Sequence, residues 1–234
     1  IRDRFNAVHT PLQARPEDVA RFEGIENPKR RTYAGMLHAM DRSIGLVLEE
    51  LKRHGLADDT LIFYISDNGG PTRQTTSSNA PLRGNKGQVY EGGIRIPFVM
   101  RWDGHIPAGS IVRHPVSSLD VLTTSLAAAG IAPEPGAALD GVDLLPLLKG
   151  ETDAAPHVAL FWRIGPQSAV RCDQYKLVRM RGGLELYDLE ADIAETTNLA
   201  TKKPDVVKRL QKLYADWERD TIPARWKREP VRKR

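Results

Sequence analysis

The sequence predicts an α/β fold that ends in a small antiparallel sheet and a helix. Between Asn27 and Gly55 the apolar residues recur at spacings of three and four, which predicts an amphipathic helix. This helix leads into Thr60–Ser66, a continuous β-prone run of the kind found in strands covered on both faces. A helix followed by a buried strand is typical of α/β proteins. From residue 158 onward, short alternating runs separated by turns indicate antiparallel strands.

The first predicted helix has sequence signals at both ends. Asn27 is a good N-cap residue, Pro28 suits the first helical position, and Gly55 follows the expected end. A single apolar stripe runs along this segment, so we expect one face of the helix to pack against a large surface. The stripe comprises Tyr33, Leu37, Met40, Ile44, Val47, Leu48 and Leu51.

Shorter elements complete the first 155 residues. A strand is predicted near Pro97–Arg101 and a helix from about Ser118 to Gly130, and a connector rich in Pro and Gly follows at Pro133–Gly150. These elements predict helices layered on a sheet, so we interpret residues 1–155 as one structural unit.

Residues 156–234 are predicted to form a small C-terminal subdomain. Four β-prone runs separated by turns predict about four antiparallel strands, and Lys203–Arg219 predicts a closing amphipathic helix that a basic tail follows. The four runs are Val158–Arg163, Ser168–Cys172, Lys176–Met180 and Leu184–Leu189.

Composition and charge narrow the functional classes. The chain has 234 residues, a net charge of +4 and one cysteine, Cys172, which excludes an internal disulfide and a multi-cysteine metal site. We interpret Cys172 as a half-buried structural thiol. No run approaches the roughly 18 apolar residues of a membrane span, so no membrane association is expected. Lys and Arg dominate after Thr201, and the aromatic residues are not interleaved among them in an RNA-binding pattern, so we expect a solvated tail and no nucleic-acid partner.

Asp67 and Asn68 directly follow the first predicted strand. Ligands collect outside the carboxyl ends of strands in open α/β sheets, and a carboxylate beside an amide offers two hard oxygen donors to Ca²⁺ or Mg²⁺. The same Asp-Asn-Gly-Gly sequence is also typical of a simple turn. Both interpretations stay open on these residues alone.

The segment from Asn79 to Arg95 places Lys86 in a glycine-rich loop. Glycines let the backbone approach an oxyanion closely, and an ammonium group supplies charge-assisted hydrogen bonds, so an anionic tetrahedral group is a plausible ligand. The loop lacks GxxxxGK[ST], which disfavours nucleotide phosphate. Arg83 and Arg95 are interpreted either as ligand contacts or as structural residues that pair with Glu91 or with carbonyl groups.

His9 ends an apolar, β-like approach in His-Thr-Pro. Pro11 favours an extended backbone at Thr10, which predicts an imidazole held at a strand end. A histidine in a loop can equally be a bystander. The remaining histidines show no H-x-x-x-H or H-E-x-x-H spacing, so we assign them no metal role.

Taken in order, these motifs resemble the second half of the type I, formylglycine-dependent sulfatases. The nearest branch resembles arylsulfatase B and the bacterial polysaccharide sulfatases, judged from Asn79-x-Pro-Leu-Arg-Gly. The resemblance covers the chain apart from its last dozen residues. The motifs are His9-Thr-Pro-Leu-Gln, Tyr33-x-x-Met-x-x-x-Met-Asp-x-x-x-Gly, Ser66-Asp-Asn-Gly, Pro81-Leu-Arg-Gly-x-Lys-Gly, Glu91-Gly-Gly-x-Arg, Asp140-Gly-Val-Asp-Leu-Leu-Pro-Leu-Leu, Leu186-Tyr-Asp-Leu and Asn198-Leu-Ala.

The resemblance implies a fold and a set of site residues. It implies an alkaline-phosphatase-like sulfatase fold in which residues 1–155 are the C-terminal part of the catalytic domain. His9 and Lys86 would bind the sulfate, and one of them would protonate the leaving oxygen. Asp67 and Asn68 would ligate Ca²⁺, with Mg²⁺ as the alternative. The expected substrate is a sulfated small molecule, such as a sugar or aryl ester, or a sulfated glycan, and a periplasmic or secreted location is implied.

The resemblance also implies components outside this sequence. Formylglycine arises from the cysteine or serine of C/S-x-P/A-x-R, a motif that the sequence does not contain. The resemblance places that nucleophile and the paired aspartates of the metal site upstream of His9, so we expect this chain to be inactive alone. Two alternatives stay open: a phosphodiesterase or phosphonate hydrolase of the same superfamily, and an inactive module that binds an anionic glycan through Lys86, Arg83 and the basic tail.

Overall fold

The computed structural model describes residues 5–222, in which helices and strands are mixed. The last residues of the predicted basic tail therefore lie outside the described part. The helices are α1 (Pro16–Ala20), α2 (Pro28–Arg53), α3 (Glu91–Ile94), α4 (Asp120–Ala128), α5 (Leu145–Leu148) and α6 (Pro204–Asp220). The strands are β1 (Ile62–Ile65), β2 (Phe98–Arg101), β3 (Leu160–Ile164), β4 (Gln167–Cys172), β5 (Tyr175–Met180) and β6 (Gly183–Asp188).

Helix α2 begins and ends close to its sequence signals. The Asn27 side chain accepts a hydrogen bond from the backbone N–H of Arg30, as expected of an N-cap, and Gly55 adopts φ +67° just past the end. The predicted apolar stripe is only partly covered, because Leu37 and Val47 are exposed. A small helix that the sequence did not reveal, α1, packs against the helix near Gly35.

Strands β1 and β2 form a two-stranded antiparallel sheet. The rings of Phe63 and Phe98 pack edge to face on one side, with centroids 6.5 Å apart. The prediction that the first strand is covered on both faces is wrong for this chain. Tyr64 and Val99 lie opposite each other and are 40% and 56% exposed, because within residues 5–222 this sheet has only two strands.

The C-terminal sheet has four strands in the order β3-β4-β5-β6, all antiparallel. Its turns are short, and Asp173 takes φ +53° in the turn between β4 and β5. The predicted set of about four antiparallel strands is therefore present. The boundary proposed between residues 155 and 156 stays a prediction.

Each face of this sheet packs against a different part of the chain. One face, with Ala169 and Val178, contacts Val89 and Tyr90 from the long loop before α3. The other face forms a second core, in which Leu210 of α6 is fully buried. Cys172 belongs to this second core and is buried rather than half-buried, since α6 covers the end of β4. The sheet thus joins the predicted N-terminal unit to the closing helix.

The mixed α/β fold class expected from the sequence is present, and the differences are local. Helix α4 begins at Asp120 rather than Ser118, and the connector rich in Pro and Gly contains a short helix, α5. Within the described range, no helix is long and apolar enough to cross a membrane.

We predict that Leu210→Ala lowers the free energy of unfolding by about 2–5 kcal/mol, because it leaves a cavity between α6 and the sheet. Urea unfolding followed by tryptophan fluorescence measures the effect. Leu46→Ala removes the same atoms from an exposed position on α2 and serves as the control, with only a small expected change. Equal losses in the two variants would show that Leu210 is not a core residue.

Candidate functional site

The loop after β1 presents two oxygen donors. Asp67 is exposed, and no side-chain hydrogen bond or ion pair holds its carboxylate within residues 5–222. The Asn68 side chain donates from Nδ2 to Gly69 O at 3.1 Å, which leaves its amide oxygen available to a ligand. Ser66 Oγ donates to Asn68 O at 3.0 Å and fixes the backbone of the loop.

This loop packs against α3 at backbone distance. The Gly69 N–H donates to Gly93 O at 3.0 Å. A Cβ at Gly69 would lie 1.8 Å from Gly92 O, so only glycine fits there. The glycine at position 69 is thus required by this close packing, and the structure leaves open both the turn and the metal-ligand interpretation of Asp67 and Asn68.

The glycine-rich segment 79–90, here called the Lys86 loop, lies against the same turn. The Asn79 side chain donates to Gly70 O at 3.0 Å and to Gly84 O at 3.1 Å, and its oxygen accepts from Gly70 N at 3.0 Å. The Lys86 N–H lies 3.5 Å from Gly70 O. Asn79 thus ties the Lys86 loop to the loop that carries Asp67 and Asn68.

Two of the predicted sulfate-binding residues meet in space although 77 positions separate them. Lys86 Nζ lies 3.4 Å from His9 Nε2, and both side chains are exposed. An ammonium group has three N–H donors, so Lys86 keeps two of them for an anion while the third points to His9. The structure therefore places an ammonium group and an imidazole at one point on the surface.

The hydrogen bonds of His9 indicate which nitrogen carries its proton. His9 Nδ1 lies 2.8 Å from Thr10 O, and a carbonyl oxygen can only accept, so Nδ1 is the donor. In the neutral ring Nε2 then accepts from the Lys86 ammonium. The predicted strand before His9 is wrong: residues 7–8 form a turn, and His9 N donates to Asn6 O at 2.8 Å.

A buried ion cluster formed by Glu91, Lys176 and Glu195 fixes the Lys86 loop to the C-terminal sheet. Lys176 Nζ lies 2.8 Å from Glu91 Oε1 and 2.9 Å from Glu195 Oε1, the latter at an angle too bent for a good hydrogen bond. Glu195 Oε2 accepts from the backbone N–H of Glu91 at 2.7 Å. Burial raises the pKa of Glu195, and its ion pair with Lys176 opposes that rise. All three side chains are nearly inaccessible to solvent.

Arg83 and Arg95 have structural contacts here. Arg83 Nη1 donates to Tyr187 Oη at 2.7 Å and to Glu195 O at 2.9 Å, and its guanidinium lies 4.0 Å from the centre of the Tyr90 ring. Burial and a hydrogen bond to a glutamate raise the pKa of Tyr90 to about 12. Arg95 Nη1 lies 3.5 Å from Glu91 Oε2, which agrees with the interpretation of Arg95 as a structural residue that pairs with Glu91.

The donor set is chemically suited to a hard divalent cation but is incomplete. Asp67 and Asn68 offer oxygen ligands, whereas Ca²⁺ takes roughly 6–8 of them. Among residues 5–222, no group of three or more His, Cys, Asp and Glu side chains is arranged to hold a metal ion. The two residues therefore fit a metal site as part of a larger set.

Sequence reasoning missed the buried ion cluster. Lys176 was assigned only to a strand and Glu195 to no role, because burial cannot be read from an isolated charged residue. A partial signal exists, since Lys176 is the one charged residue within an otherwise apolar stretch of β5, Lys-Leu-Val.

Comparison with known proteins identifies similar chains. A family model described as Sulfatase matches residues 4–131, and one described as N-sulphoglucosamine sulphohydrolase, C-terminal, matches residues 84–219. N-acetylgalactosamine-6-sulfatase of Mus musculus is 34% identical over 176 residues, covering 74% of this chain and 32% of that protein. Steryl-sulfatase of Rattus norvegicus is 37% identical over 164 residues, covering 67% of this chain and 27% of that protein.

Among solved structures, Ps i-CgsB in complex with k-i-k-neocarrahexaose superposes with a TM-score of 0.88 at 35% identity, covering 95% of this chain and 50% of that one. The alkaline-phosphatase-like sulfatase fold expected from the sequence is thereby confirmed. The chain spans about a third of the curated relatives described above and half of this solved one.

We predict that Lys176→Met lowers the free energy of unfolding by about 3–5 kcal/mol, because it leaves two buried carboxylates without their shared cation. Lys212→Met removes the same charge from an exposed pair on α6 and should change stability little. Chemical unfolding of both variants measures the difference. A Lys176 variant as stable as the control would show that the cluster does not hold the fold together.

Proposed function

Because this chain belongs to the sulfatase family, we propose that the protein containing it hydrolyses sulfate esters and that His9 and Lys86 contact the sulfate. The observation that carries this proposal is the 3.4 Å approach of Lys86 Nζ to His9 Nε2 beside the Asp67 loop. An ammonium group and an imidazole at one exposed point match the charge and the hydrogen-bonding capacity of a sulfate ester.

Each of the two residues has a distinct part in this proposal. The Lys86 ammonium donates charge-assisted hydrogen bonds to sulfate oxygens and stabilises the negative charge that develops on the leaving oxygen. His9 has its Nδ1 proton committed to Thr10 O, so its Nε2 is free to exchange a proton with Lys86 or with the substrate. The Lys86 ammonium can therefore deliver the proton that the departing alkoxide or phenoxide requires, and His9 can do so once its Nε2 has taken a proton.

We infer that Asp67 and Asn68 hold the metal ion of the site, with Ca²⁺ favoured and Mg²⁺ as the alternative. Their oxygens suit either hard cation, and the family is in general metal-dependent. When bound, such an ion withdraws charge from the sulfuryl group. The Asp67 carboxylate is exposed, Ser66 fixes the Asn68 backbone, and the neighbouring Gly70 carbonyl lies 3.5 Å from the backbone N of Lys86.

The nucleophile in this proposal is formylglycine, supplied from outside this sequence. No serine here, and not Cys172, stands in the required motif, and Cys172 is buried behind α6. The chain alone is therefore expected to give no sulfatase turnover and to bind Ca²⁺ weakly.

The proposed substrate is a sulfated sugar, within a glycan or as a smaller molecule. A relative 34% identical to this chain is an N-acetylgalactosamine-6-sulfatase, and a 35% identical structure was solved with a neocarrahexaose. Both names support a sulfated carbohydrate over a simple aryl ester.

We predict that Lys86→Ala lowers kcat/KM of the full-length protein for an aryl sulfate by at least about 100-fold, because the anion loses its cationic donor. Lys52→Ala, an exposed lysine in the last turn of α2, is the matched control and should retain activity. Full activity of the Lys86 variant would remove Lys86 from the site. Turnover of an aryl phosphate diester in place of the sulfate would favour the phosphodiesterase alternative.

We also predict that added Ca²⁺ raises the Tm of the full-length protein and that Asp67→Ala abolishes this increase. Removing one carboxylate from a shared oxygen set weakens the site for the ion, so less binding energy stabilises the folded state. Asp59→Ala, an exposed aspartate in the turn before β1, should leave the Ca²⁺-dependent increase intact. An undiminished increase in the Asp67 variant would contradict this residue's role as a ligand.

A further inference from the structure

A groove of about 490 Å³ lies between α6 and one end of the C-terminal sheet, away from the residues discussed so far. Its floor is apolar and includes Val170, Leu177 and Leu184. Its rim is polar and includes Arg163, Ser168, Arg179, Gln211, Tyr214 and Glu218. Volumes of this size accommodate small ligands, and an apolar floor with a few polar groups is typical of such sites.

The groove carries a net positive charge. Its one acidic residue is Glu218. Glu218 Oε1 lies 3.3 Å from Arg163 Nη1, so this carboxylate neutralises the charge of the Arg163 guanidinium. Arg179 is exposed, and no carboxylate lies within ion-pair distance of it among the described residues. A free guanidinium beside the neutral donors of Gln211 and Tyr214 suits an anion that also carries hydroxyl groups.

The groove and the Lys86 loop lie on either side of the β3–β4 hairpin. Gln167 Nε2 donates to Gly87 O at 3.3 Å, which places the start of β4 directly beside Lys86. The next residue, Ser168, lines the groove and pairs with Arg179 across the sheet. Successive residues of a strand face opposite sides of the sheet, so the groove and the Lys86 loop lie on opposite faces near the end of the β3–β4 hairpin.

Two residues of the rim, Arg163 and Tyr214, lie beside an aromatic pair that is not itself part of the groove lining. The rings of Phe161 and Trp217 stack with centroids 5.1 Å apart, and Tyr214 lies beside Trp217 with a centroid distance of 5.4 Å. Arg163 extends over the Trp217 ring at 5.9 Å. Tyr214 is the aromatic residue that lines the groove, and a flat apolar ring next to hydrogen-bonding groups complements the face of a sugar ring.

We propose that this groove binds a second, anionic sugar unit of a sulfated oligosaccharide whose first unit is held at Lys86. Arg179 would pair with its sulfate, and Gln211 and Tyr214 would bond its hydroxyls. This inference rests on the proposed sulfatase function for the identity of the first site. It adds a specificity subsite in the C-terminal subdomain, which makes longer sulfated chains better substrates than aryl sulfates.

Charge reversal at Arg179 tests the proposal in the full-length protein. In Arg179→Glu we expect KM for a sulfated oligosaccharide to rise about tenfold, because a charge-assisted contact is replaced by repulsion. KM for an aryl sulfate, which is too short to pass the hairpin, should stay unchanged. Arg181→Glu makes the same charge change on the exposed β5–β6 turn outside the groove and should affect neither substrate.

A second variant distinguishes an effect of filling the groove on KM from an effect of changed surface charge. Ala215 is exposed on α6 and lines the groove, so Ala215→Trp fills it without changing any charge. We expect the same rise in KM for the oligosaccharide. Unchanged values in both Arg179→Glu and Ala215→Trp would overturn the proposal, as would equal effects of Arg179→Glu and Arg181→Glu.

Binding without turnover keeps this test independent of the catalytic assignment. Electrophoresis of the full-length protein through gels that contain dextran sulfate should retard it relative to gels with unsulfated dextran, and Arg179→Glu should reduce that retardation. If the protein shows no sulfatase turnover, the proposed function fails, while the gel still reports on the groove. Retardation that neither Arg179→Glu nor Ala215→Trp reduces would contradict the subsite.

Discussion

The buried pairing of Lys176 with Glu91 and Glu195 is the interaction on which the arrangement of the site depends. It joins the first residue of α3, the strand β5 of the C-terminal sheet and the loop after β6. Buried charges are costly unless they are paired, so this cluster admits one relative position of its three segments. The Lys86 loop ends at that point, and its geometry therefore follows from contacts made far from the anion.

Backbone packing between α3 and the turn after β1 also fixes the loop that carries Asp67 and Asn68, the proposed metal ligands. Gly69 lies so close to Gly92 that neither the turn after β1 nor α3 can move without the other. Asn79 adds two hydrogen bonds between the Lys86 loop and Gly70, and a third, to Gly84 O, within the loop itself. The four proposed site residues, from three stretches of sequence, are thus held by groups outside the proposed site.

The sequence was informative where local patterns decide the structure. The caps of α2, the alternating strands β3 to β6 and the periodicity of α6 were all readable because each depends on neighbouring residues. The exposure of β1 could not be predicted, since Tyr64 is exposed because the sheet within residues 5–222 has only two strands, and the number of strands in a sheet is not a local pattern. The strand expected before His9 also failed, because a short apolar approach is compatible with a turn as well as with a strand.

For the site, residue identities were easier to predict than distances. Asp67, Asn68, Lys86 and His9 were chosen from motifs, yet only folding shows that His9 lies beside Lys86 across 77 residues. The role of Lys176 could not be predicted, because Lys176 belongs to no recognised motif. Its chemistry depends wholly on burial, which neither composition nor spacing reveals.

The four-stranded sheet has a consequence for the order in which the protein folds. Its strands are neighbours in sequence and are joined by short turns, so it can assemble from local contacts, which generally form fast. The bond from Lys176 to Glu91 closes a loop of 85 residues and carries a much larger entropic cost. We infer that the Lys86 loop becomes ordered only after this sheet exists, so that nascent chains gain anion-binding ability late, when the C-terminal strands have been synthesised.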